Sequence, residues 1–177
     1  MPHIIERAPT GRAKCRGCGG PIAAGDRRFG ERVPNPYGDE GSESSLWYHL
    51  TCAALTRPEP FLETLAAIEE AIDNRDLLTR EATLGATHRR LPRARGAERA
   101  SSGRAACRSC HQPIPKGAWR IALAYYEDGR HSPSGFIHVS CARDYFETTE
   151  ILGRLQHFSP ALTDVDLGEI ETGLGVT

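Results

Sequence analysis

The sequence predicts an α+β protein of two small modules, each a short antiparallel sheet plus helices gathered around a cluster of cysteine and histidine. Three observations predict it. The six cysteines of the 177-residue chain fall three in each half. The two halves repeat one another at constant separation, and each passes from alternating to helical hydrophobic periodicity.

The cysteines decide what holds the modules together. Each half joins a Cys-x2-Cys to a later His-x2-Cys, giving Cys15, Cys18, His49 and Cys52 in the first and Cys107, Cys110, His138 and Cys141 in the second. Disulfides closed within a half would strand one thiol, whereas three thiolates and one imidazole complete a tetrahedral zinc shell. Two structural Zn2+ ions are therefore expected. Four protein ligands leave no open position for water or substrate, which argues against a catalytic metal. Modules this small have little core of their own and need such a staple. A redox use of Cys-x2-Cys would leave His49 and His138 unexplained. His111 and His131 have no counterparts in the first half and read as surface residues.

The repeat runs from Gly11-Arg12-Ala13-Lys14-Cys15-Arg16-Gly17-Cys18 onto Gly103-Arg104-Ala105-Ala106-Cys107-Arg108-Ser109-Cys110. Pro21-Ile22, Gly25 and Arg28 continue it onto Pro113-Ile114, Gly117 and Arg120 at the same separation of 92, and the His-x2-Cys pairs stand 89 apart. The second central loop is thus the shorter. These limits set a first module over residues 1–78, a linker over 79–102 and a second module over 103–177.

Within the modules, Ala118 to Tyr125 alternates as a strand, with Trp119, Ile121, Leu123 and Tyr125 on one face. Arg120 falls opposite, between small neighbours that leave its guanidinium free. In the same way Arg28, Gly30 and Arg32 oppose Phe29 and Val33. Pro34 to Leu46 and Glu127 to Gly135, rich in Pro, Gly, Ser and acids, read as irregular loops. From Pro60, Leu62, Leu65, Ile68 and Ile72 recur at helical spacing. The stretch from Thr79 to Ser102 carries Arg80, Arg89, Arg90, Arg93, Arg95 and Arg99 against few acids and reads as a flexible, phosphate-tracking linker. Near the end, Thr163 or Asp164 is placed to cap a short acidic helix.

Composition bounds the function classes. The net charge is −1, and lysine occurs only at Lys14 and Lys116, so positive charge is almost all arginine, whose planar fork grips phosphate. The start lacks the apolar stretch of a signal peptide, and no run reaches membrane-spanning length. A reducing compartment is expected: the cytoplasm, beside the nucleoid, in a bacterium, or the nucleus in a eukaryote. No acid/base constellation suggests catalysis, and neither a membrane nor a small-molecule substrate is expected as partner.

The pattern Gly-Arg-Ala-x-Cys-x2-Cys, Pro-Ile-x2-Gly-x2-Arg, then Trp47-Tyr48-His49-x2-Cys52 or Phe136-Ile137-His138-x2-Cys141 resembles the zinc finger of poly(ADP-ribose) polymerases, which a DNA ligase also carries. The resemblance covers about residues 10–75 and 102–174, including the closing Phe158-Ser159-x-Ala161-Leu162-x2-Val165-Asp166. It implies two PARP-type fingers in tandem that bind DNA strand breaks independently of sequence, in repair or damage sensing. No residues remain for a catalytic domain, so a non-enzymatic binder is expected, one that recruits repair proteins or shields the lesion. By the same resemblance Arg12 and Arg28, and Arg104 and Arg120, hold phosphates, with Arg16 and Arg108 beside them. Apolar loop residues stack on the base pair exposed at a break; Tyr37 and Leu46, and Tyr126 and Phe136, stand in those loops. Trp47 reads instead as a core residue. Asp39, Glu40 and Glu43 in the first loop repel phosphate, so the second finger is expected to bind DNA more tightly. The alternatives are a zinc-stabilised protein-interaction module that has lost DNA binding, and an RNA binder.

Overall fold

Antiparallel pairing builds two three-stranded sheets in the computed structural model, which describes residues 2–175. The chain divides into two units, the first of residues 2–87 and 128–130 and the second of 88–127 and 131–175. The α+β class expected from the sequence is what each unit shows.

In the first unit, strands β1 (Ile4–Arg7), β2 (Arg27–Pro34) and β3 (Glu43–His49) lie in that order. Phe29 and Tyr48 face each other in register, are fully buried, and Phe29 meets Phe61 from the helical side. β3 runs straight into helix α1 (Leu50–Thr56), followed by α2 (Pro58–Ala66) and α3 (Arg75–Thr87). Pro58 opens α2 at a position whose N–H has no intrahelical partner anyway. The periodicity from Leu62 to Ile72 suggested one longer helix, but α2 stops at Ala66. There the Arg75 guanidinium donates to the carbonyls of Leu65 and Ile68, satisfying groups that another helical turn would have used. Glu31, buried on β2, is held by Arg57 through Nε at 3.0 Å and Nη2 at 2.5 Å.

The second unit repeats the sheet with β4 (Ala94–Arg99), β5 (Trp119–Glu127) and β6 (Arg130–His138). A 3-10 turn at Val139–Cys141 leads into α4 (Ala142–Phe146), α5 (Leu152–Phe158) and α6 (Asp164–Leu174). Behind its sheet the second core is aliphatic at two positions where the first is aromatic: Ile121 and Ile137 occupy the places of Phe29 and Tyr48, while Phe146 supplies a buried ring from α4. Thr163 caps α6, accepting from the Asp166 N–H while the Asp166 carboxylate accepts from the Thr163 N–H, as the tail sequence suggested. Ser159 locks α5 to β4 by bonding both the N–H and the carbonyl of Ala97.

Two further expectations change. Residues 79–102 form no irregular linker: α3 runs to Thr87, Leu91–Arg93 is a 3-10 turn, and Ala94–Arg99 is strand β4. The signal for β4 lay in the repeat itself, since Glu6-Arg7-Ala8 recurs as Glu98-Arg99-Ala100 at the same separation of 92. Glu127 to Gly135 is likewise ordered, because Asp128 and Gly129 take φ of 49° and 75° and close a two-residue hairpin turn. Residues 35–42 do form a loop, tied by Asn35 N–H to the Ser42 carbonyl and by Tyr37 N–H to Asn35 Oδ1. Among the described residues no helix is long and apolar enough to cross a membrane.

Candidate metal centres and nucleic-acid interface

In each unit the Cys-x2-Cys turn precedes the sheet's long hairpin, and the histidine ends the last strand with the final cysteine just beyond, so four donors meet at one sheet corner. Their ligating atoms lie within 4.8 Å of one another in both clusters. His49 Nδ1 is 3.4 Å from Cys18 Sγ and 3.9 Å from Cys52 Sγ; His138 Nδ1 is 3.4 Å from Cys110 Sγ and 3.8 Å from Cys141 Sγ. Ordinary zinc bond lengths put the edges of a tetrahedron of three sulfurs and one nitrogen at about 3.5–3.8 Å. The donor sets therefore fit one metal ion each.

Second partners orient the ligands. Nε2 of His49 stands 3.1 Å from the Pro21 carbonyl, and Nε2 of His138 stands 3.1 Å from that of Pro113. Donation there leaves Nδ1 as the lone-pair nitrogen aimed at the metal. Backbone N–H groups of Gly17 and His49 point at Cys15 Sγ, and those of Ser109 and His138 at Cys107 Sγ. A hydrogen bond from Cys52 and these amides lower the Cys15 pKa to about 4. For Cys107, burial pushes up, but the N–H groups of Cys110, His138 and Ser109 outweigh it and bring it to about 7. Cys141 is pushed up to about 12, chiefly by burial. Each cluster thus already stabilises one thiolate.

Beside each metal corner sits a second repeated feature. Arg28 donates from Nε and Nη2 to Glu6 Oε1 at 3.1 and 2.5 Å, and its guanidinium lies 3.5 Å from the Trp47 ring centroid. Arg120 does the same with Glu98, at 3.0 and 2.5 Å, and with Phe136, again at 3.5 Å. Both glutamates face their arginines across the strand pair. The expectation of a free guanidinium is therefore corrected: Arg28 and Arg120 are each only 7% exposed. Alternation told which face they occupy, but an aromatic residue from the next strand covers that face. Gly30 makes room for this in the first unit, because a Cβ there would lie 2.6 Å from Trp47 Cζ3. The second unit has Ala122 at the place of Gly30 and the smaller Phe136 at that of Trp47.

The remaining arginines divide differently. Arg12, Arg16, Arg104 and Arg108 are all exposed, Arg108 donating Nε to the Ser134 carbonyl. Of the four stacking candidates only Tyr37 is open, at 90% exposure on the tip of its loop. Leu46 is buried in β3, and Tyr126 lies half-buried against the His131 ring. Phe136 is half-buried with a face taken by Arg120. Trp47 is not a core residue but the plate beneath Arg28. His111 is exposed as expected, whereas His131 is half-buried and bonded to Arg95. Sequence reasoning missed Glu6 and Glu98, which the extended repeat would have revealed.

The chain is similar to known proteins. The chain is 31% identical over 147 residues to a poly [ADP-ribose] polymerase of Sarcophaga peregrina, an alignment covering 72% of this chain and 14% of that protein. It is 30% identical over 138 residues to poly [ADP-ribose] polymerase 1 of Gallus gallus, covering 68% of this chain and 13% of that one. The chain is partly homologous to poly [ADP-ribose] polymerases. It spans about one seventh of the length of the curated relatives it matches. No protein-family model matches the chain.

Proposed function

We propose that the chain is a pair of PARP-type zinc fingers, each holding one structural Zn2+, that binds DNA at strand breaks without reading sequence and without catalysing a reaction. The observation that carries this is the coincidence of two complete clusters of three cysteines and one histidine with similarity to poly [ADP-ribose] polymerases over most of the chain. Zinc is the metal whose preference for tetrahedral thiolate and imidazole ligands this donor set meets, and its role here is to hold the fold.

The exposed arginines supply phosphate contacts: Arg12 and Arg16 on the first finger, Arg104 and Arg108 on the second. Arg28 and Arg120, with Nε and Nη2 committed to glutamate, have Nη1 to offer a phosphate and otherwise fix the surface beside the metal corner. Such contacts position a duplex and carry no sequence information, so affinity falls steeply with salt. Repair proteins are the natural partners of a break-bound chain, inside the cytoplasm or nucleus.

The first finger also supports a second reading. Tyr37, fully presented beside acidic Asp39 and Glu40 on a tied loop, suits a protein surface better than a DNA backbone. The deciding experiment compares affinity for a nicked duplex with that for the same duplex sealed, using the zinc-loaded chain. Tighter binding to the nick is expected. Equal or absent binding sinks the break reading, and Arg12→Gln against Arg104→Gln reports which finger engages.

A further inference from the structure

The segment joining α3 to β4 builds a cleft on the second unit. Leu91, fully buried in the 3-10 turn Leu91–Arg93, pins this segment. Arg90 and Arg93 then line a cleft of 410 Å³ together with Arg108, His111, Tyr125 and Tyr145. Arg90 lies over the Tyr145 ring at 5.2 Å and donates to the Tyr145 carbonyl at 3.4 Å. Arg93 lies over Tyr125 at 4.6 Å and donates to the Tyr145 hydroxyl at 3.3 Å. Arg108 donates to the Ser134 carbonyl.

The acceptors of all three are neutral. Among the described residues none of the three has a carboxylate partner, whereas Arg27, Arg28, Arg57, Arg99 and Arg120 each hold a glutamate. Three guanidiniums sharing one concave wall, two of them oriented by aromatic faces and all without counter-charge, are preorganised for an anion. Tyr125 remains 49% exposed beside them, a ring on which a base can stack. The first unit has a cleft at the corresponding corner, lined by Lys14, Arg16, Gly19, Ser45 and Trp47, but Gly19, Val33 and Thr56 stand there where the second has His111, Tyr125 and Tyr145, so the arginine and tyrosine lining is a feature of one unit.

We infer that this cleft binds the phosphate monoester of a nucleotide. The dianion sits among Arg90, Arg93 and Arg108, and the base lies against Tyr125. A monoester brings about twice the charge of an internal diester, and three uncompensated guanidiniums reward that difference. In the setting of break binding, on which this assignment to DNA rests, the ligand is the phosphate at a strand end; a free mononucleotide offers the same chemistry.

The test uses the full zinc-loaded chain. Inorganic phosphate and deoxyadenosine monophosphate are titrated while the arginine Nε–H resonances are followed by NMR. Nicked duplexes carrying a 5′-phosphate, a 3′-phosphate or neither are compared in parallel. Saturable shifts confined to Arg90, Arg93 and Arg108 are expected, with binding to a phosphorylated nick tighter by about tenfold, the equivalent of one charge-assisted hydrogen bond. Arg90→Gln with Arg93→Gln should abolish that preference and keep wild-type affinity for the unphosphorylated nick. Phosphate or nucleotide binding without any nick binding upholds the cleft, makes the free nucleotide its ligand and overturns the break reading. Nick binding indifferent to the end group, with no saturable shift by either small ligand, overturns the cleft and leaves the break reading standing.

Discussion

The two units share a metal corner and the arginine stack beside it, and core positions such as Ile22 and Ile114, yet they differ at several positions packed behind. Phe29 and Tyr48 in the first core give way to Ile121 and Ile137 in the second. The buried pair Glu31–Arg57 is replaced by Leu123 and Phe146, and Trp47 over Gly30 by Phe136 and Ala122. Each exchange is made in matched sets, so either packing closes a core. The Arg28–Glu6 and Arg120–Glu98 pairs are not exchanged. An ion pair kept for stability alone could have been replaced as Glu31–Arg57 was. The metal corner with its arginine and glutamate is thus common to both units, whereas several core positions are exchanged.

The largest expected effect lies at the metal corner. On the proposed zinc loading, Cys107→Ala should unfold the second unit and leave the first intact, since the binding free energy of structural zinc, about 10–16 kcal/mol in small zinc-finger peptides, is folding free energy. Zinc content should fall by half, and NMR should show one unit's resonances collapsed; a cooperatively folded second unit would contradict this. Next in size is Arg57→Ala, which takes the bidentate guanidinium from the buried Glu31 carboxylate and should cost about 3–5 kcal/mol in chemical denaturation. Glu31→Leu with Arg57→Phe, which copies the second unit, should recover most of that loss. Gly30→Ala forces a methyl against the Trp47 ring and should cost about 1–3 kcal/mol, relieved when Trp47→Phe is added. If the paired change fails to restore stability, the matched-set explanation fails with it. Thr163→Ala removes the α6 cap for about 1 kcal/mol, read from the melting temperature.

The smallest effect is electrostatic. Glu169, held by the Trp119 indole N–H and by Arg99, titrates below the usual glutamate range. Its contribution is present above the unfolded pKa and is lost as the pH falls through the folded one. Carboxyl chemical shifts across that acid range should show the depressed midpoint, and Trp119→Phe should raise it.

The two clusters of three cysteines and one histidine were legible because a tetrahedral donor set demands fixed residue types at fixed spacing, and eight such positions leave little freedom. Strand alternation likewise placed Arg28 and Arg120 on the face opposite Phe29 and Ile121. What alternation cannot tell is what lies over a face: Trp47 and Phe136 come from the next strand, and Glu6 and Glu98 from the one on the other side. Strand β4 was obscured by its basic surroundings, although Glu98-Arg99-Ala100 already echoed the first strand. The Asp128-Gly129 turn shows the same lesson in reverse, since its dipeptide chemistry outweighed a composition that read as irregular. Helix α2 ends at Ala66, where the Arg75 guanidinium donates to the Leu65 carbonyl and to that of Ile68 just beyond the helix, a contact that periodicity does not reveal.

The histidine ligands owe their orientation to the carbonyls of Pro21 and Pro113. A main-chain acceptor bears on how these two units tolerate change. A carboxylate partner could be erased by one substitution, but a carbonyl is present whatever residue stands at the position. The outer shell of both metal sites is thus indifferent to side-chain identity, and drift at these positions can alter the turn without unseating the imidazole.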